Sequence, residues 1–332
     1  IWAFSWRILI LVSLLVGAGV IHNYSALPPA NQLLDGRARG SVTLQDKYGK
    51  VFAWRGDQYG GRVTAQTISH HLRNAVIATE DRRFYSHFGI SPRGVASAIR
   101  INLREGRGPL SGHGGSTITQ QVAKLICLGK PYDNAKWDSE ADYEANCRRG
   151  SLWRKIREAI FALSMEIKYT KDEILTIYLN RAFLGAGARG FEAASQRYFG
   201  KPAGRVTPAE SAMLAGLLVA PTRYAPTNNL VRSQNRAGVI IGLMRDQNYI
   251  TRAEADEALN KPARLSSAAK ARAGGYFADW VMSSGPAFFT RKTTEDVIVK
   301  TTLDQRIQTA AETALQSVFS NSVAASSKAQ AA

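Results

Sequence analysis

The sequence predicts a mainly α-helical protein, preceded by an apolar N-terminal segment and a single β-hairpin. From Thr67 onward, apolar residues recur at intervals of three and four, the spacing that places them on one face of a helix. The pattern is clearest at Ile156, Ile160, Leu163 and Ile167. Hydrophobic residues make up 45% of the 332 residues, so the chain can bury a sizeable core and is not a disordered protein.

The N-terminal segment 8–21 carries no charge and predicts membrane insertion. A spanning helix needs about 20 mostly apolar residues. Because the chain begins at Ile1 without an initiator Met, we expect further residues upstream. Arg7 would lie at the cytoplasmic face, which makes residues 1–22 a single-pass, uncleaved signal anchor with the bulk of the chain exported. A cleaved signal peptide, with small residues such as Ala18 and Ala26 near its end, stays open as the alternative.

The later elements follow from turn, cap and periodicity signals. Residues 23–66 are typical of a linker and a hairpin, because β-prone stretches flank a Gly-containing turn at 46–50. Thr170, followed by two early acids, is typical of a helix N-cap. Helices are predicted over 69–79, 92–105, 117–125, 154–169, 170–180, 190–198, 208–219, 230–247, 252–259, 276–282 and 303–319, and a strand over 296–302.

These elements divide into a main helical domain at 67–260 and a connector at 261–332. The connector begins with a stretch, 262–273, whose Ala, Ser, Lys and Arg content resembles a hinge. Its tail, 320–332, has too little apolar content to fold alone.

The charge balance restricts the partners. Lys and Arg number 43 against 26 Asp and Glu, which gives a formal net charge of +17. An anionic partner is therefore expected: nucleic acid, an anionic membrane surface or a phosphorylated substrate. Charge alone leaves all three open.

Two cysteines, Cys127 and Cys147, bracket an acidic segment. In an exported protein they favour a disulfide, and closing a loop of this size stabilises the fold by about 3 kcal/mol. Two unrelated small hydrophobic residues are the alternative.

Glu80 opens the first polar constellation. On helical spacing, Glu80, Phe84 and His87 would share one face, with the Phe84 ring able to desolvate the Glu80 carboxylate. Two cations, Arg82 and Arg83, would hold the neighbouring Asp81. Such surroundings suit a general base, whereas a solvated helix end explains an isolated Glu equally well.

A second constellation occupies the run GGSTITQQVAK, 114–124. Its glycines permit close backbone approach, and Ser116 or Thr117 would cap a helix. Thr117, Gln121 and Lys124 then share a face on which a hydroxyl, an amide and an ammonium could bind an oxyanion. A solvated polar face is the equally open alternative. Further on, Lys155 and Glu158 are three residues apart, and taken alone they indicate an exposed ion pair.

Three short matches carry no function. The GxGxxG match at 185–190 follows a helical segment rather than a strand, which argues against a dinucleotide site. The SxxK match at 267–270 lies in the hinge-like stretch without KTG or SDN triplets, and is attributed to chance. His70 and His71 are adjacent, so they are expected to point different ways and to make a poor metal pair.

Together, five ordered segments resemble the peptidoglycan glycosyltransferases of glycosyltransferase family 51, found as the transglycosylase domain of class A penicillin-binding proteins and as monofunctional transglycosylases. The resemblance covers about residues 67–245 and is specific because the motifs occur in the family's order. The matching segments are ATEDRRFYSHFGIS, GGSTITQQVAK, RKIREAIFALSMEIKYTKDEILTIYLN, ARGFEAASQRYFGK and ESAMLAGLLVAPTRYAP.

The resemblance implies a lysozyme-like, bilobal domain with a small membrane-facing jaw lobe. It implies that lipid II is polymerised into β-1,4-linked glycan strands with release of undecaprenyl pyrophosphate. The implied partners are lipid II, the growing glycan strand and the membrane, with other cell-wall synthesis proteins left open and no nucleic acid. The implied location is the inner (cytoplasmic) membrane, with the catalytic domain on the periplasmic side.

The resemblance also assigns roles to residues. Glu80 becomes the general base that deprotonates the acceptor hydroxyl, and Glu158 joins it as a catalytic carboxylate. The residues implied to line the donor pyrophosphate and its cleft are Thr117, Gln121, Lys124, Arg154 and Lys155. The residues implied to support them are Asp81, Phe84, His87, Ser116 and Gln120. The sequence requires no cofactor and shows no metal-ligand cluster, and a divalent cation, Mg²⁺ or Mn²⁺, is left open as a bridge to the pyrophosphate.

The stretch from Val297 onward resembles the connector that leads into a transpeptidase domain, so we expect the N-terminal part of a bifunctional penicillin-binding protein. A monofunctional transglycosylase is the first alternative and a lytic glycosidase the second. A basic, membrane-tethered nucleic-acid binder is the rival from another class, but it leaves Glu80 and the polar face of 117–124 unexplained.

Overall fold

The computed structural model describes residues 2–34, 41–55, 58–109, 114–130, 132–133, 135–137, 140–266, 269, 275–285 and 297–319. The predicted tail at 320–332 lies outside these residues, as do most of the SxxK match at 267–270 and part of the hinge-like stretch at 262–273.

The described chain is mainly α-helical, which confirms the predicted class. The helices that run from the N-terminus to the middle of the chain are α1 (Trp2–Ala26), α2 (His70–Glu80), α3 (Pro92–Arg104), α4 (Ile118–Leu125), α5 (Glu140–Arg148), α6 (Leu152–Lys168) and α7 (Lys171–Arg181). Those that follow are α8 (Phe191–Phe199), α9 (Pro208–Gly216), α10 (Pro221–Tyr224), α11 (Leu230–Asp246), α12 (Arg252–Asn260), α13 (Gly275–Ser284) and α14 (Gln305–Val318). The strands are β1 (Val42–Gln45), β2 (Val51–Arg55), β3 (Gln58–Tyr59), β4 (Ala188–Arg189) and β5 (Val297–Lys300).

Each predicted helix is present, and side-chain caps explain several of their starts. Reciprocal capping boxes, in which a Thr hydroxyl and a side chain three residues later satisfy each other's backbone amides, begin α4, α7, α9 and α12. One extended core contains α2, α4, α7, α9 and α11, with Leu72, Ile118, Leu175, Leu214 and Ile240 all fully buried.

The predicted hairpin is confirmed, but it is more than part of a linker. Strands β1 and β2 pair antiparallel, and β1 also pairs in parallel with β5, which lies about 250 residues later. A second, smaller core forms between this sheet and α13, around Leu44, Phe52 and Ala278. The hairpin is thus packed against the connector, a long-range pairing that local sequence patterns do not encode.

The apolar helix α1 packs along α6 at its C-terminal end. The Ser164 hydroxyl donates to the Val20 carbonyl at 3.1 Å, and Lys168 Nζ donates to the Tyr24 carbonyl at 3.3 Å. The segment Ser5–Ala26 of α1 is long and apolar enough to cross a membrane, as judged by its length and composition alone.

The cysteine-bracketed segment is closed by a disulfide between Cys127 and Cys147, which confirms that prediction. The segment carries α5, a helix that the sequence analysis did not predict, and the rings of Tyr132, Trp137 and Tyr143 pack edge to face. The bond joins the end of α4 to the segment that leads into α6.

Replacing both cysteines by serine should lower the free energy of unfolding by about 3 kcal/mol, because the unfolded chain regains the entropy of a loop spanning 20 residues. Urea unfolding of wild type with and without reductant, beside the double variant, measures this. Reductant should move the wild-type midpoint and leave the variant's unchanged. Equal midpoints for oxidised wild type and variant would contradict the expectation.

Candidate active site

Glu80 is the last residue of α2 and lies partly buried beside α4 and α7. Its Oε2 accepts a hydrogen bond from Gln121 Nε2 at 2.8 Å, and Gln121 Oε1 accepts one from the Tyr178 hydroxyl at 3.1 Å. Burial raises the pKa of the Glu80 carboxyl and Asp81 adds to the rise, while the Gln121 hydrogen bond and the charge of Arg236 oppose it. A desolvated carboxylate with a raised pKa is suited to accept a proton from a substrate.

The first polar constellation does not lie on the single helical face that the sequence predicted. Helix α2 ends at Glu80, and a separate 3₁₀ turn at Phe84–Ser86 follows, so Glu80, Phe84 and His87 do not share one helix. His87 Nε2 lies instead 2.8 Å from Asp81 Oδ2. Phe84 is fully buried, with its ring packed edge-on to His87 and beneath Lys171 Nζ at 4.7 Å.

Asp81 is held by the protein interior rather than by the two arginines. Its Oδ2 accepts from the backbone N–H of Ile118 at 3.0 Å as well as contacting His87. Arg82 and Arg83 are exposed, and Arg83 donates to the Ser91 hydroxyl. The expectation that Arg82 and Arg83 hold Asp81 was therefore wrong.

The N-terminus of α4 is closed by its own side chains. The Thr117 hydroxyl accepts from Gln120 N at 3.1 Å and donates to the Gly89 carbonyl at 2.6 Å, while Gln120 Oε1 accepts from Thr117 N at 3.0 Å. Thr117 is only 1% exposed. Its hydroxyl is thus committed to the fold, and contact of Thr117 with a ligand stays a prediction.

Cationic side chains gather beside this helix. Lys155 Nζ lies 3.0 Å from both the Ser116 hydroxyl and Glu158 Oε2, and Arg154 Nη1 contacts Glu158 Oε1. Burial lowers the pKa of the Lys155 ammonium, and the charges of Arg154 and Lys124 lower it further. A lysine with a depressed pKa beside two other cations forms a site that an anion would stabilise.

Glu158 is 1% exposed, so its pairing with Lys155 is not the exposed ion pair that the spacing alone indicated. The exposed positions of α6 include Leu152 and Trp153, while Glu158 points inward under two cations. Its carboxylate fixes their positions, and a direct catalytic role for it stays a prediction.

Two polar residues near Glu80 were missed by the sequence analysis. Tyr178 lay inside an apolar helical stretch, where an aromatic residue indicates core packing and gives no signal of a polar contact. Arg236 comes from α11, with its guanidinium 6.0 Å from the centre of the Tyr224 ring and its side chain packed against Gly216. Its buried Nε has no hydrogen-bond partner within the described structure.

The short matches behave largely as expected. The glycine-rich run at 185–190 follows helix α7 rather than a strand, as the sequence analysis expected, and Gly185, Gly187 and Gly190 adopt positive φ. The rings of His70 and His71 lie 3.8 Å apart, so the expectation that they diverge was wrong. Among the described residues, no group of three or more His, Cys, Asp or Glu is placed to hold a metal ion.

A family model described as Transglycosylase matches residues 48–245, and the chain belongs to this family. It is 36% identical over 276 residues to penicillin-binding protein 1A of Aquifex aeolicus (strain VF5), covering 82% of this chain and 35% of that protein. It is 32% identical over 319 residues to penicillin-binding protein 1A of Escherichia coli (strain K12), covering 93% of this chain and 35% of that protein.

The chain thus spans about a third of the length of these curated relatives. Among solved structures, it resembles penicillin-binding protein 1A from Haemophilus influenzae with a TM-score of 0.44 and 22% identity, covering 84% of this chain and 29% of that one.

We expect Glu80→Gln to raise the unfolding temperature at pH 7. Because the pKa of Glu80 is raised in the folded state, the folded protein binds this proton more tightly than the unfolded chain. Stability therefore falls as the pH rises from the ordinary value of 4.5 through the folded pKa. Thermal unfolding across pH should show little difference between variant and wild type at acid pH and a growing difference toward neutrality.

Glu257→Gln is the matched control for that series, because Glu257 is 66% exposed in a surface pair with Lys261. It should shift the unfolding temperature little at any pH. A Glu80→Gln variant less stable than wild type at pH 7 would mean that the charged carboxylate stabilises the fold.

Glu158→Gln should destabilise the protein by about 1 to 3 kcal/mol, since it leaves Arg154 and Lys155 side by side without an opposing charge. Urea unfolding measures the loss, with Glu257→Gln again as control. A variant with unchanged stability and abolished activity would instead point to direct contact between Glu158 and the substrate.

Proposed function

We propose that this chain polymerises lipid II into β-1,4-linked glycan strands and releases undecaprenyl pyrophosphate, for synthesis of the bacterial cell wall. One observation carries the proposal: helix α4 holds both Gln121, whose amide is bonded to the partly buried Glu80, and Lys124. With Arg154 and Lys155, Lys124 forms the cation cluster. Gln121 and Lys124 are three residues apart, about 4.5 Å along the helix axis. Two residues one turn apart on α4 thus serve the two halves of the proposed site, one bonded to the proposed base and the other belonging to the proposed anion site.

The chemistry fits these two halves. On the acceptor side, Glu80 takes the proton from the sugar 4-hydroxyl, and the oxygen of that hydroxyl attacks the anomeric carbon of the donor. On the donor side, the bond from that carbon to the pyrophosphate breaks, and the electron pair leaves with the pyrophosphate. Lys124, Arg154 and Lys155 would stabilise the released charge without donating a proton.

The surroundings support a membrane-bound substrate. Helix α1 would anchor the protein by a single pass in the cytoplasmic membrane, with the helical domain on the periplasmic side. Lipid II and the growing strand are the proposed partners, and a divalent cation at the pyrophosphate stays open. Because the relatives are penicillin-binding proteins of which this chain spans about a third, we place it at the N-terminal end of a bifunctional enzyme.

Wild-type protein in detergent should convert labelled lipid II into glycan polymer, and Glu80→Gln should lower the rate by at least about 100-fold because the base is lost. Gel analysis of the products measures both. Polymerisation by Glu80→Gln at the wild-type rate would refute the assignment of the base. Fragments released from finished peptidoglycan, with no polymer from lipid II, would favour a lytic glycosidase.

In the same assay, Lys124→Ala probes the donor side and should lose activity with Glu80 intact. Lys261→Ala is its control, because Lys261 lies on the surface and pairs with Glu257. Equal rates for the two lysine variants would remove Lys124 from the proposed anion site.

A further inference from the structure

Tyr178 is a buried side chain whose hydroxyl points toward the site. The residue is 2% exposed, yet its hydroxyl donates to Gln121 Oε1 at 3.1 Å. Gln121 Nε2 then donates to Glu80 Oε2 at 2.8 Å. Three groups from α7, α4 and α2 therefore form one hydrogen-bonded chain that ends on the carboxylate.

The direction of this chain depends on which way the Gln121 amide faces. An amide carries an acceptor oxygen and a donor NH₂, and either could face Glu80. With the NH₂ toward Glu80, the charged carboxylate is satisfied. With the oxygen toward Glu80, two acceptors meet unless the carboxyl is protonated, so the amide orientation and the proton on Glu80 are linked.

The Tyr178 hydroxyl selects between these orientations. If the amide turned over, Gln121 Nε2 would face the hydroxyl and the phenolic proton would need another acceptor. Among the described residues Gln121 is the one hydrogen-bond partner of this hydroxyl. A buried donor without an acceptor is unfavourable, so a protonated Tyr178 keeps the oxygen of the amide toward itself. Burial and the charge of Glu80 raise the pKa of Tyr178 well above its ordinary value, which keeps the phenol protonated at neutral pH.

We propose that Tyr178 is a positioning residue that acts through Gln121, fixing the amide so that its NH₂ faces Glu80 and holds that side chain in the basic, deprotonated form. The principal task of Gln121 is then to support the base rather than to bind the pyrophosphate. The proposal rests on the proposed function for its consequence in catalysis, but the geometry that it describes exists without turnover.

Other charged and polar groups also act on Glu80 and must stay constant in a test. Asp81, next in the chain, disfavours the charged form, whereas Arg236 from α11 favours it. Among the described residues, Gln121 from α4 and Tyr178 from α7 also act on Glu80. A change at Tyr178 that leaves Asp81 and Arg236 in place therefore isolates the amide.

The test is Tyr178→Phe, with the Glu80 carboxyl titrated by ¹³C NMR and assigned from the signal that Glu80→Gln removes. We expect the pKa of Glu80 to rise by about one unit, as for a carboxylate that loses a donor. In the pH profile of lipid II polymerisation, the acid limb should move to higher pH by the same amount. An unchanged titration and an unchanged acid limb, even with a uniformly lower rate, would reduce Tyr178 to core packing and overturn the proposal.

Tyr198→Phe is the matched control, since Tyr198 is fully buried and its hydroxyl donates to the Leu184 carbonyl at 2.9 Å, outside the site. It should leave the Glu80 titration where it is in the wild type. In a Gln121→Leu background, Tyr178→Phe should add no further shift, because the residue acts through the amide. Additive shifts would contradict that route.

Should Tyr178→Phe fail to fold, Tyr178→Met also removes the hydroxyl, while its flexible apolar side chain fills the buried space. It should likewise raise the pKa of Glu80 by about one unit, because the amide loses the group that orients it. An unmoved titration would overturn the proposal. Because the titration needs no turnover, it decides the role of Tyr178 even if wild-type protein makes no polymer, an outcome that would refute the proposed function alone.

Discussion

The carboxylate of Asp81 is the contact on which the site depends. It accepts from the backbone N–H of Ile118 at the start of α4 and lies 2.8 Å from His87. A negative charge at a helix N-terminus is favoured by the helix dipole, by about 0.3 to 1 kcal/mol. Because Asp81 directly follows Glu80, this bond ties the end of α2 to the start of α4 and sets Gln121, one turn further, over the base.

The site combines groups that the fold alone would not favour together. The pKa of Glu80 is raised, which means that its charged form costs stability. Burial lowers the pKa of Lys155, and the charges of Arg154 and Lys124 lower it further. Glu158 offsets part of this repulsion from beneath. An anionic donor would remove the rest, so the strain among the cations is a reason for the site to bind one.

Local signals predicted the helices well, because the apolar spacing and the Thr caps act within a few residues. Local signals did not predict which groups the polar side chains contact. Asp81 pairs with His87 and a distant backbone amide rather than with its neighbouring arginines, and Glu158 is buried by packing that spacing alone cannot show. Tyr178 looked like a core residue, and it is one, apart from its hydroxyl. The contact of Asp81 with Ile118 joins residues 37 apart, and that of Tyr178 with Gln121 joins residues 57 apart, while Glu158 depends on burial.

Helix α6 connects the site to the apolar helix α1. The two run parallel, since Gly19 lies against Ile160 and Tyr24 against Lys168. Arg154 is ten residues before Ser164, about 15 Å back along α6 in the direction of the apolar half of α1. The exposed apolar side chains of Leu152 and Trp153 directly precede Arg154 at the start of α6. Apolar surface next to cations suits the proposed donor, whose pyrophosphate is attached to a lipid, because the lipid and the anionic group need adjacent surfaces of these two kinds.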